Sequence, residues 1–322
     1  MAKTCNTKSC AEGQEQFKTM IGGQALIEGI LMRGPTKQAI VVRSPDGLVE
    51  KVEELHAIKE RYPILGWPLI RGVVNFFDSM YNGVKALMFS ADYFPEEETV
   101  EESAFDRWLE KHIGADLLEK LVIPLSVVLG IGFSIGLFLL LPTFLVGLIG
   151  PIHDNLVLRN LLEGVMKITI FMGYLILVSQ MKDMKRVFSY HGAEHKTIRC
   201  YEAKLPLTVE NVRPMTRMHP RCGTSFLFVV IIISVLVSTL IQSSNTLLRM
   251  GMKLVLLPMV VAIAYEINRF VGRHNNWFTR ILTKPGMWMQ NFTTNEPDDA
   301  MIEVAIRSLE LVLPEKEGAD QW

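Results

Sequence analysis

Long uncharged runs alternate with blocks of charge along this chain, and the runs are too long for strands or ordinary core helices. Four of them approach the roughly 20 apolar residues that an α-helix needs to cross a bilayer. They lie at 121–150, 161–181, 226–241 and 248–270. The second carries Glu163 and Lys167 near one end, and the fourth is interrupted by Arg249, Lys253, Glu266 and Arg269. Pro142 and Pro258 are expected to bend their helices, since proline removes a backbone donor and crowds the preceding turn.

Other periodicities mark the parts outside the runs. Alternation in QAIVV and LVEKVEEL around the turn residues SPDG predicts a β-hairpin over 38–54. In 64–90, Arg71, Asn75, Asp78, Asn82 and Lys85 recur at helical spacing, a narrow polar stripe on an apolar helix. Such a helix lies on the inner leaflet or packs on the spans; a polar cavity facing the stripe is the functional alternative. The acidic stretch 95–102 leads into a short amphipathic helix at 103–120. Residues 275–294 are rich in aromatics and methionine and suit a membrane interface. A last helix is expected after Pro297, with Asp298 and Asp299 at its positive N-terminal end.

The expected architecture is mainly α: a multi-pass membrane protein with about four transmembrane helices and a small N-terminal cytoplasmic α+β part containing the hairpin. Its segments are 1–63, the N-terminal part; 64–120, membrane-associated helices and linker; 121–271, the four-span region with a basic loop at 182–225; and 272–322, a cytoplasmic C-terminal segment. Lys182, Lys185, Arg186, Lys196, Arg199, Lys204, Arg213, Arg217 and Arg221 crowd the link between the second and third runs, whereas Arg159 alone lies between the first and second. The positive-inside rule then puts that link and both termini in the cytoplasm of a bacterial inner membrane.

Composition adds three limits. The chain is 49% hydrophobic with a net charge of −1, so nothing in its charge asks for nucleic acid. The polar N-terminus has no apolar stretch to serve as a secretory signal. Cys5, Cys10, Cys200 and Cys222 are too few and scattered for a disulfide framework, which fits reduced, cytoplasmic thiols.

Three stretches could carry chemistry. In YHGAEHKT (190–197), His191 and His195 stand one helical turn apart, and Glu194 lies about 60° to the other side of His191. Two neutral imidazoles at that spacing can reach one ion, with Glu194 as general base; the order H-x-x-E-H is that of inverted zinc peptidases. The plain alternative is a polar helix face. In MHPRCGTS (218–225), His219 and Cys222 could complete a zinc shell, or Pro220 and Gly223 could simply form a turn. In YEINRFVGRH (265–274), Glu266 could be a further ligand and Arg269 an oxyanion stabiliser, or the two could be a structural pair. All three stretches fall at the expected cytoplasmic face, which favours a shared site. Glycines in GGQALIEGILMRGP match neither a dinucleotide fingerprint nor a phosphate loop; turns and close backbone approach explain them better.

The motifs GGQALIEGILMRG, YHGAEHKT, HPRCGTSF, YEINRF and PGMWMQNFTT, in this order from about Gly22 to Pro297, resemble the YqhQ-like family of bacterial membrane proteins. The resemblance implies a membrane protein and, as predicted for the family, a metal-dependent enzyme; it transfers no catalytic residues.

The resulting expectation is a metal-dependent hydrolase with a divalent ion, zinc, at the cytoplasmic membrane face. Its ligands are His191 and His195 with one of His219, Cys222 or Glu266, while Glu194 and Arg269 serve catalysis. The substrate would be a peptide, a lipid head group or another amphiphile, and the partners membrane lipids, further copies of the chain or a membrane complex. The rival expectation is a non-catalytic scaffold or accessory subunit with a structural metal site or none.

Overall fold

The computed structural model describes residues 17–55, 62–94, 115–150, 155–274, 276–316 and 318–321. The acidic stretch 95–102 and the first part of the expected helix 103–120 lie outside them. The described residues divide into two compact units, each assembled from separated stretches of chain.

The first unit gathers residues up to 56, Arg186–His219 and those from Thr294 onward. It holds a four-stranded antiparallel sheet in simple sequence order: β1 (Gly22–Leu26), β2 (Gly29–Arg33), β3 (Lys37–Ser44) and β4 (Gly47–Glu54). The expected hairpin is β3–β4, closed at Ser44↔Gly47. Gly47 takes a positive φ of 130°, a conformation that a Cβ disfavours, which is why glycine ends the SPDG turn. The pair β1–β2 comes from the glycine-rich stretch. Its turn holds Glu28 at φ 50°, and Arg186 and Tyr190 both bind the Glu28 carboxylate, which holds the strained residue in place.

Ile30 and Met32 of β2 face Val41 and Ala39 of β3 across the ladder. These four share a core with Tyr190, Ala193 and Ile198 and with Ile302, Ala305 and Leu309 of the last helix, Asp299–Glu310. That helix starts where expected: Asp298 is its N-cap, its side chain accepting from the Met301 N–H.

The second unit comprises residues 57–185 and 220–293. Its helices, with those of the first unit numbered in chain order, are α1 (Ile70–Ala91), α2 (Ala115–Ile135), α3 (Leu141–Gly147), α4 (Leu156–Gln180), α7 (Gly223–Ser238), α8 (Thr246–Arg273) and α9 (Trp277–Thr293). Between α2 and α3 one widened π-helical turn, Gly136–Leu140, precedes Pro142, whose missing N–H accounts for the break. α5 (Lys182–Glu202) runs from the second unit into the first; α6 (Val209–Val212) and α10 (Asp299–Glu310) belong to the first.

Among the described residues, three helical stretches are long and apolar enough to cross a membrane: Pro124–Gly147, Leu156–Gln180 and Thr246–Arg273. The third expected span, 226–241, forms as α7, which with 16 residues is shorter than the other three apolar helices. At 1.5 Å per residue it covers about 24 Å, less than the roughly 30 Å hydrocarbon core. Cys222 begins it after the Pro220 turn, and polar residues follow at 242–245. α4 does not run unbroken into the histidine motif either. Met181 is extended (ψ 137°), where the apolar run gives way to Lys182 and Asp183, and α5 starts afresh.

The polar stripe of α1 packs on α8. Arg71 donates from Nε and Nη2 to Glu266 at 2.7 and 2.5 Å, Asn75 donates to the Tyr265 hydroxyl, and Gly72 lies against Ala262 and Tyr265. Helix α9 packs on α7, with Gly286 against the Ser225 backbone, while Trp277, Phe278 and Trp288 stay exposed.

Candidate metal centre

Helix α5 is polar in sequence but buried in the fold. Tyr190, Gly192 through Ile198 and Cys200 are all buried, Glu194, His195 and Lys196 among them. Charged and ring-nitrogen groups are this deeply buried only when partners or ligands offset the lost hydration, so each needs an account.

Lys196 has one: its ammonium reaches the Glu296 carboxylate and donates to the Arg213 carbonyl at 2.9 Å. Glu194 docks on the sheet, its Oε1 accepting the Gly23 N–H at 3.0 Å. A Cβ at position 23 would meet the Leu31 carbonyl at 2.6 Å and Glu194 Cδ at 3.0 Å, so glycine permits the approach. Glycine also occupies 192, where a Cβ would come 2.0 Å from the Asn295 carbonyl.

The histidines form a row. The His191 and His195 rings stand 4.4 Å apart and the His195 and His219 rings 5.6 Å apart. One ring nitrogen of His191 lies within 4.8 Å of one of His195. His195 Nδ1 lies 2.6 Å from the Arg217 carbonyl oxygen, which fixes that nitrogen as the donor. In the neutral imidazole this leaves Nε2 as the nitrogen with the lone pair. That Nε2 is buried and has no hydrogen-bond partner. A histidine whose second nitrogen is held by a backbone carbonyl is the usual orientation of a metal ligand. Arg217 is itself anchored, donating to Thr294.

His219 Nε2 lies 3.4 Å from Glu202 Oε2, and Glu202 Oε1 accepts the Thr19 N–H at 3.0 Å. Sequence reasoning did not single out Glu202, although the signal is present. It stands eleven residues after His191 and seven after His195, so at 100° per residue all three fall on one helix face. A row of imidazoles, largely buried and with one ring nitrogen unmatched, supplies the kind of donor that zinc or a similar divalent ion prefers.

The other candidates lie in the second unit. Cys222 is buried as the N-cap of α7, three residues after His219 in the chain. Glu266 is engaged with Arg71 on α1, and Arg269 follows one turn later on α8. Of the predicted residues, the first unit thus brings together His191, Glu194, His195 and His219.

Two side chains near the row are set by burial. The Cys200 thiol, enclosed in the core, is pushed up to about 11 and stays protonated at neutral pH. Burial, and then the negative Glu28, raises the Tyr190 hydroxyl above its usual range, so it remains a donor to Glu28.

Fold and site define a mainly helical protein with three helices able to cross a membrane, a small antiparallel sheet and a buried histidine row. The chain belongs to the family described as "Protein of unknown function (DUF1385)", whose model matches residues 67–315. It is 34% identical over 299 residues to "Uncharacterized protein YqhQ" of Bacillus subtilis (strain 168), covering 91% of this chain and 92% of that protein. No solved structure matches.

Proposed function

We propose that this protein is a metal-dependent membrane enzyme of hydrolase type, its divalent ion, zinc, held by His191, His195 and His219. The observation that carries the reading is His195 Nε2, a buried lone pair with no partner on a ring whose other nitrogen is fixed by the Arg217 carbonyl. Glu202 orients His219. A zinc ion there would supply Lewis acidity for hydrolysis near neutral pH. Glu194, on the same helix, is the candidate general base, and Arg269 the candidate stabiliser of developing negative charge.

The docking of Glu194 on the Gly23 N–H favours a second reading. A carboxylate occupied in fixing strand to helix serves a structural metal knot as well as it serves catalysis, and the protein would then be a scaffold or accessory subunit.

Orientation follows from the basic residues of 182–222 and from the first unit itself. Residues 30, 190 and 302 share one hydrophobic cluster, which supports placing all three on one side of the membrane. With the positive-inside rule that side is the cytoplasm of a bacterial inner membrane.

Metal analysis of protein purified without chelators tests the reading. One zinc per chain is expected in the wild type, and His195→Ala should lose it. A wild type without stoichiometric metal overturns the proposal. Glu194→Gln then separates the two readings. Metal and fold kept with cellular function lost means catalysis; all three kept means a structural site.

A further inference from the structure

The second unit buries more positive charge than it neutralises. Arg159, Lys167, Arg249 and Lys253 are all at most 4% exposed, and among the described residues of this unit Glu163 is the one buried carboxylate. Glu163 serves three of the four. Its Oε1 lies 3.4 Å from Arg159 Nε and 3.4 Å from Arg249 Nη2, and its Oε2 takes the Lys253 ammonium. Neutral acceptors complete the arginines: Arg159 donates to the Ser244 carbonyl and Thr246 hydroxyl, and Arg249 to the Ile241 carbonyl and Asn160.

Lys167, one turn beyond Glu163 on α4, is served differently. Among the described residues its ammonium donates to the Ser234 hydroxyl at 3.0 Å, a neutral group. Lys167 and Lys253 both line a cavity of about 210 Å³ between α2, α4, α7 and α8. Ser134, Ser234 and Ser238 add hydroxyls to its wall, and the remainder is apolar, with Phe138, Val230 and Leu256. Ser134, on the rim, is exposed and shares α2 with Leu129 and Phe133, which are 62% and 66% exposed. The cavity thus opens on the face of the most apolar candidate span.

We propose that this cavity binds a phosphate group, its negative charge between Lys167 and Lys253. A buried ammonium whose partner is neutral forfeits hydration without compensation, whereas an anion between two ammoniums restores it. Ionisable groups at membrane depth mark binding sites and pathways for this reason. The apolar wall and rim favour the headgroup of an anionic lipid over free phosphate as the source. This site is separate from the histidine row and stands or falls independently of it.

The test uses the full chain in neutral detergent with three probes: dihexanoyl-phosphatidylglycerol, dihexanoyl-phosphatidylcholine and inorganic phosphate. Tighter binding of phosphatidylglycerol than of phosphatidylcholine, by about tenfold, is expected for one added charge contact. Lys167→Gln, which keeps a donor toward Ser234, should abolish the preference, and Lys167→Arg should keep it. Displacement of the lipid by inorganic phosphate at comparable concentration would leave the charge recognition standing and identify a free anion as the ligand. Equal binding of the two lipids by the wild type, with no phosphate binding, overturns the proposal even if Lys167→Gln does not fold. A preference that survives Lys167→Gln also overturns it.

Discussion

Tyr190 shows how a single buried group ties a strained turn to the helix of the candidate site. Its hydroxyl donates to Glu28 at 3.1 Å, and Glu28 sits at a positive φ that non-glycine residues rarely adopt. Because burial and Glu28 raise the folded-state pKa above the unfolded value of about 10, folding favours the protonated phenol. The stability this contributes is fully present below pH 10 and is lost as pH climbs through the folded pKa. Tyr190→Phe should cost about 1 kcal/mol at neutral pH for the lost hydrogen bond. It should also flatten the decline of stability above about pH 10 in unfolding curves measured by circular dichroism. A variant whose curves decline as steeply as the wild type would assign that decline to other groups. At this scale the sequence was legible where partners are local. His191 and His195 stand one turn apart and read as a pair, while Glu202 needed three turns of helix to be followed. The partners of Glu194 and Glu28 were illegible, because Gly23 and Arg186 are separated from them by 171 and 158 positions.

Elements were legible by period and lost where period is short. The hairpin β3–β4 and the last helix carry alternation, turn residues and a cap, and each formed where those signals lie. Strands β1 and β2 hold only five residues apiece, too few for a pattern to outweigh their glycines. The amphipathic stripe of α1 announced a packed face but not its partner; Glu266 on α8 supplies it, whereas the expected partner of Glu266 was Arg269. Helix α5 shows the same limit from the other side. Its burial depends on residues 294–297 running across it, with the Asn295 N–H bonded to the Phe188 carbonyl. Gly192 is the contact point, and an added methyl would stand 2.0 Å from a backbone oxygen that cannot rotate away. Gly192→Ala should therefore destabilise the protein by about 3 kcal/mol, the upper part of the overpacking range. Thermal unfolding of the purified variant measures this. A melting temperature within a degree of the wild type would mean that the 294–297 stretch moves aside at no cost.

At the scale of the whole molecule, the core of the first unit limits how the chain can cross a membrane. Residues 30, 190 and 302 meet in one hydrophobic cluster, so an even number of crossings must separate each from the next. Between the first two lie Pro124–Gly147 and Leu156–Gln180, and the count is even if the polar-striped α1 does not cross. Between the last two, Thr246–Arg273 is the one helix of full span length, and one crossing would be odd. The 16-residue α7 has no charged residue, and Thr239, Leu240 and Ile241 extend it with i→i+3 bonds. Helix α7 with that turn is therefore the apolar segment left to supply a second crossing. Contacts within the second unit agree, because Arg159 at the start of α4 donates to Ser244 and Thr246 at the start of α8, placing those two helix starts at one end. The proposed four crossings would put residues 242–245 on the far side from residues 30, 190 and 302. Single cysteines introduced at Ser243 and Ser308, in a chain whose natural cysteines are replaced by serine, test this in intact cells. A membrane-impermeant maleimide should label position 243 from outside and spare position 308 until the cells are opened. Labelling of both from outside, or of neither, would overturn the four-crossing arrangement.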